Sequence, residues 1–133
     1  MRTMRSQVLV GTVTSLVAGA LLLAAAPAAN AAEDVQKVKR GNCSMSNTWK
    51  LELEKEHGTI EVDFNAYTKQ AGKTWKYKVK QNDVVRAKGS TVSERDGDVE
   101  VDKKLTDRKG LDKIVVRVKN PASGEVCRAE LSI

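Results

Sequence analysis

Six short segments of the chain alternate apolar with polar residues at period two, and this pattern limits the fold more than any other feature. Trp49, Leu51 and Leu53 interleave with Lys50, Glu52 and Glu54; Ile60, Val62 and Phe64 with Glu61, Asp63 and Asn65; Trp75, Tyr77 and Val79 with Lys76, Lys78 and Lys80. The pattern returns at Val99 and Val101, at Ile114, Val116 and Val118, and at Cys127, Ala129, Leu131 and Ile133. Successive strand side chains point to opposite faces, so each segment reads as a strand with one buried and one wetted face. Thr48 to Glu56 can also be drawn as a short amphipathic helix, but the alternation of Trp49, Leu51 and Leu53 opposes that drawing.

Turn residues separate the segments. They are Glu56-His57-Gly58, Gln70-Ala71-Gly72, Gln81-Asn82-Asp83, Arg95-Asp96-Gly97, Asp107 to Gly110, and Asn120 to Gly124. Gly admits positive φ, and Asn or Asp bonds to its own backbone, so such clusters mark reversals. With Val84 to Val92 as a further strand, six turns join seven strands. That spacing predicts an all-β antiparallel sandwich of two sheets over residues 48–133. The polar stretch before it, residues 32–47, is expected to form an arm that adds an edge strand.

The first 31 residues read as a cleaved secretory leader. Arg2 and Arg5 supply the positive start, Val8 to Ala26 the apolar stretch, and Ala29-Asn30-Ala31 a small-residue cleavage site. An uncleaved anchor is the alternative, but Gly11, Thr12, Thr14, Ser15 and Gly19 dilute the apolar run. Of 133 residues, 102 then remain, and loss of Arg2 and Arg5 takes 23 basic residues to 21, against 17 acidic. This excludes a multidomain enzyme, a disordered charged tail and a polytopic membrane protein. A secreted, extracellular domain is expected. Cys43 and Cys127 agree with it: an even count in an exported chain argues for one disulfide, and their separation fits no metal or redox spacing.

Chemistry-bearing residues are sparse. His57 is the sole histidine and reads either as a general base or, more simply, as an exposed turn residue; Ser123 has no base near it in sequence. Phosphate loops, dinucleotide fingerprints and zinc motifs are absent. The expectation is therefore no enzymatic activity and no cofactor, with a small hydrolase or inhibitor as the remote alternative. Asp96, Asp98, Glu100 and Asp102 recur at period two and form the candidate calcium set, although the spacing does not match an EF-hand loop and a solvated strand face neutralised by neighbouring lysines is the simpler reading. Lys76, Lys78 and Lys80 share one strand face and form the candidate polyanion site, with Arg117 and Lys119 on another strand and Lys37, Lys39 and Arg40 in the arm. Against that stands a hairpin in which Glu61 and Asp63 sit opposite those lysines as cross-strand pairs. The loops at 66–73, 93–97 and 107–111 are the places where a protein partner would be sought.

Seven strands with Trp75 opening the third resemble an immunoglobulin-like sandwich, although a Cys43–Cys127 bridge would join the arm to the last strand. More closely, the chain resembles short secreted actinobacterial proteins of unassigned function. It does so in the Ala-rich leader, Gly41-Asn42-Cys43-Ser44, Thr48-Trp49-Lys50-Leu51 and Gly124-Glu125-Val126-Cys127-Arg128. The resemblance implies a structural framework and no catalytic residues. The expected function is a non-enzymatic binding module for an unknown protein or envelope partner, or alternatively a polyanion or cell-envelope binder using the lysine-rich face.

Overall fold

Period-two alternation becomes eight strands in the computed structural model, which describes residues 34–133; the leader expected over residues 1–31 lies outside the described residues. In chain order they are β1 (Val35–Asn42), β2 (Thr48–Glu56), β3 (Thr59–Tyr67), β4 (Thr74–Gln81), β5 (Val84–Val92), β6 (Asp98–Thr106), β7 (Lys113–Lys119) and β8 (Val126–Ser132). One sheet has the order β1-β2-β3-β6 and the other β5-β4-β7-β8, with every pairing antiparallel. The fold is an all-β two-sheet sandwich, compatible with an immunoglobulin-like one. Thr48 to Glu56 is strand β2, not a helix.

A two-residue turn obliges the strands it joins to pair, whereas longer connections go either way, since 43–47 and 120–125 also join paired neighbours. His57-Gly58 and Asn82-Asp83 hold φ of 47° and 78°, and 49° and 67°, the two-positive geometry of a tight hairpin. They join β2 to β3 and β4 to β5 within a sheet. The longer segments 68–73, 93–97 and 107–112 instead carry the chain across to the other sheet. This separates β3 from β4, so Glu61 and Asp63 do not lie opposite Lys76, Lys78 and Lys80. Glu61 is placed between Glu54 and Lys104, and Asp63 between Glu52 and Asp102. The short hairpin assumed for β3–β4 fails because its connection is a crossover.

The apolar sets meet between the sheets. Leu51, Leu53, Ile60, Val62, Phe64 and Val99 from one sheet are fully buried against Val79, Ile114, Val116, Val118 and Ala129 from the other. Burying each large aliphatic or aromatic side chain contributes roughly 1.5–3 kcal/mol, which makes this layer the main stabilising element. Trp49, Trp75 and Phe64 belong to it, with Trp49 stacked on Phe64 at a centroid distance of 6.3 Å. Gly41 lies opposite Trp49; a Cβ there would fall 2.3 Å from the indole ring, so only Gly lets the ring lie under β1 and donate its Nε1–H to Asn42 O at 3.1 Å.

The arm forms β1 and closes the sandwich edge. Lys37 and Lys39 stand opposite Leu53 and Leu51, on the inward face. Their ammonium groups reach Ser132 O and Glu130 O of β8, both at 3.0 Å. Inward charge on an edge strand hinders edge-to-edge aggregation, and here it also caps β8 carbonyls. The Lys37, Lys39 and Arg40 cluster expected to bind anions is thus divided, because two of its members are used to hold the fold. The Cys43–Cys127 disulfide ties the end of β1 to β8 across 84 positions.

Candidate functional site

The outer face of the β5-β4-β7-β8 sheet carries the strongest chemical signal in the molecule. Trp75 and Val79 point inward on β4, which sends Lys76, Lys78 and Lys80 outward. On β7, burial of Ile114, Val116 and Val118 sends Arg117 and Lys119 outward; on β8, burial of Cys127 and Ala129 does the same for Arg128. The two groups that the sequence left on separate strands are therefore brought together. Register then sets like charge against like: Lys78 faces Lys88 on β5 and Arg117 on β7, Lys76 faces Lys119, and Arg117 faces Arg128.

Like charges directly opposite are destabilising, by amounts comparable to the 0.2–1 kcal/mol that opposite pairs contribute. Among the described residues no ion pair relieves Lys76, Lys78, Lys80, Lys88, Arg117 or Lys119. Only the rim is neutralised, where Arg128 meets Glu130 at 2.8 Å and Lys113 meets Asp83 at 2.9 Å. Asp83 is held below the usual carboxylate range by its hydrogen bond and ion pair with Lys113. Two concavities mark the face. The larger, about 490 Å³, is lined by Lys76, Lys78, Lys88, Arg117 and Lys119; the smaller, about 310 Å³, lies between Lys80, Arg117 and Arg128. Gly89 and Tyr77 also line the larger one, and a Cβ on Gly89 would stand 2.9 Å from the Tyr77 hydroxyl, so Gly there leaves room for the phenol. Lys88 was not singled out from sequence, since β5 shows no clean alternation; its register against Lys78 is what places it here.

The candidate calcium set lies on the other sheet. Asp98, Glu100 and Asp102 project from β6, and Asp96 accepts the Asp98 backbone N–H at 2.9 Å. Same-face residues of a strand stand about 6.6–6.8 Å apart, too far to share one ion without help from other elements. Among the described residues no three or more His, Cys, Asp or Glu side chains are gathered closely enough to hold a metal. Glu100 is pushed up chiefly by Glu94, then by burial and by Asp63; Asp98 is pushed up by burial and by Asp96.

The loops divide between the two ends of the sandwich. Segments 68–73 and 93–97 meet through Thr68 Oγ1, which donates to Gly97 O at 2.6 Å, and Ser93 Oγ, which donates to Gln70 O at 2.6 Å. Residues 43–47 and 120–125 complete that end, with Asn47 hydrogen-bonded to the buried Glu125 carboxylate. A cavity of about 290 Å³ opens there between Thr68, Lys69, Lys73, Trp75 and Glu125, and Trp75 Nε1 is buried without a partner. The 107–111 loop lies at the opposite end, where Asp107 N–H bonds to Gly58 O at 2.9 Å. His57 is in that turn with its side chain 88% exposed, whereas Ser123 belongs to the other end, so the two never form a pair.

The chain matches no family model, no curated protein and no solved structure. Among the described residues no helix is long and apolar enough to cross a membrane.

Proposed function

We propose that this protein is a secreted, non-enzymatic binding module that grips a linear polyanion with the outer face of its β5-β4-β7-β8 sheet. The observation that carries this reading is the row of uncompensated like-charge pairs Lys88–Lys78–Arg117, with Lys76–Lys119 beside it; Arg128 continues the row but is paired with Glu130. A fold does not need such a row, and alternating signs would stabilise it better. A ligand that brings repeated negative charge removes the repulsion and releases counterions, so it binds with strong salt dependence.

The same face indicates what kind of anion fits. Its charges sit on a grid of about 4.8 Å across strands and about 6.7 Å along them, a spacing suited to a flexible chain of phosphate or sulfate groups. Trp49, Trp75 and Phe64 are buried in the core, and Tyr77, the aromatic that lines the larger concavity, is partly buried with Lys103 Nζ 5.2 Å from its ring centroid, so the face has no row of aromatics on which successive bases could stack. Recognition by charge spacing favours an envelope phosphodiester polymer or sulfated glycan over a sequence-read nucleic acid. Export is supported by the leader sequence and the Cys43–Cys127 bridge.

Binding to polyphosphate and to heparin across a salt series tests the reading. Six free cations on the face give a log K against log salt slope of roughly −4, at about 0.7 per neutralised phosphate. Reversing Lys76, Lys78 and Lys80 to Glu abolishes retention if the face is the site; retention unchanged by that triple change would end the proposal.

A further inference from the structure

The opposite face of the molecule is the acidic counterpart of the basic one. On the outer side of β1-β2-β3-β6, Glu52, Asp63 and Asp102 stand in one cross-strand row, and Glu54 faces Glu61 in the next. Lys50 neutralises Glu52 at 2.9 Å and Lys104 neutralises Glu61 at 3.1 Å. Glu54, Asp63, Asp98, Glu100 and Asp102 form no ion pair among the described residues. Burial first, and then the neighbouring Asp102, push the Asp63 carboxyl up.

We infer that the acidic face of one copy docks on the basic face of the next, so that copies of this chain stack head to tail. Both faces are pleated sheet surfaces with the same spacing of about 4.8 by 6.7 Å, so rows of carboxylates on one copy match rows of ammonium and guanidinium groups on another. The inference rests on the reading of the basic face as an anion-binding surface, with a second copy as a competing anion. Because the two faces lie on opposite sides of the sandwich, the contact is heterologous: each docking leaves one acidic and one basic face free. A closed two-fold dimer is therefore excluded for this contact, and growth is open-ended. A four-strand face measures roughly 20 by 25 Å, so a contact buries about 1,000 Å² in total, below the range of stable dimers. The stacks are accordingly transient and salt-sensitive.

Sedimentation equilibrium of the oxidised protein at low and high salt tests this. At roughly 10 mM salt, where the Debye length is about 30 Å, the average mass should pass twice the monomer and keep rising with concentration; at about 1 M, where it is near 3 Å, only monomer should remain. Two variants with neutral faces separate the contributions. Asp63→Asn with Glu100→Gln and Asp102→Asn should be monomeric yet keep polyphosphate binding, whereas Lys78→Gln with Lys88→Gln and Arg117→Gln should lose both. Mixed together, the two should form a 1:1 pair that grows no further, since each offers only one intact face. Monomer at every concentration in low salt, with polyphosphate binding intact, overturns the stacking and leaves the proposed function standing. Loss of polyphosphate binding in the wild type overturns the function, and a mass plateau at the dimer overturns the head-to-tail geometry.

Discussion

Replacing Lys78 with Glu should make the protein more stable while weakening its hold on polyanions. Lys78 lies at the centre of the basic face, directly opposite Lys88 on one side and Arg117 on the other. The substitution converts two repulsive pairs into two attractive ones, each worth about 0.2–1 kcal/mol in either sense. Exposure and salt weaken both, so a net gain of about 1 kcal/mol is expected at low ionic strength. Lys and Glu are both poor strand formers, so intrinsic propensity contributes little to the difference. For a domain near 100 residues, 1 kcal/mol raises Tm by roughly 4–8 °C. The assay is thermal melting of wild type, Lys78→Glu and Lys78→Gln at low and high salt, with the Gln variant about halfway. High salt should shrink the gain, because screening relieves the wild type as well. A Tm for Lys78→Glu equal to or below wild type in low salt would refute the claim that this face stores repulsion. Opposed movement of stability and affinity is the signature of residues retained for binding.

Three other perturbations probe the framework. Replacing Cys43 and Cys127 with Ala opens a loop of 84 positions, and the chain-entropy relation puts the loss near 4.5 kcal/mol, read as a fall in the urea midpoint. Asp112 is fully buried and accepts from Gln81 Nε2, Asn82 Nδ2 and Arg108 N–H; Asp112→Ala should cost about 2–4 kcal/mol by leaving those donors unpaired. Burial raises the Asp112 pKa but these hydrogen bonds overcome it, so the group ends below its usual value; its contribution is present above the unfolded pKa and lost as pH falls through the folded one, which a pH series of melts will show. Asp63 behaves oppositely: with its pKa raised by burial and Asp102, its ionisation opposes folding, so Asp63→Asn should stabilise by a few tenths of a kcal/mol at pH 7 and lose that advantage below the unfolded pKa.

Strand positions were legible because alternation is local. Burial of Trp49, Leu51 and Leu53 on one side of β2 follows from period two alone. Pairing was not legible, because it depends on what a connection does in space. Segment 68–73 contains Gln70-Ala71-Gly72, which reads as an ordinary turn, yet it crosses between sheets and places Lys76, Lys78 and Lys80 beside Arg117 and Lys119 instead of Glu61 and Asp63. Its length beyond the two-residue turns at His57-Gly58 and Asn82-Asp83 removes the obligation to pair but does not decide the matter, since 120–125 is as long and joins the paired β7 and β8. Lys88 was hidden for a related reason: the β4–β5 pairing shifts register between Val79 and Lys80, and β5 is an edge strand whose side chains are mostly exposed. In β1 the polar sequence masks inward positions, since Lys37 and Lys39 occupy the face that apolar residues take elsewhere.

The bridge between β1 and β8 has a mechanical consequence. Val35 and Ile133 lie at the same end of the sandwich, where β1 begins opposite Lys55 and Ile133 exchanges backbone hydrogen bonds with Asp112. Tension applied between them would peel β1 and β8 open like a zip, one pair of bonds at a time, until it met the Cys43–Cys127 bond. Beyond that point the covalent link bears the load, and the strands from β2 to β7, with every lysine of the basic face, are never pulled.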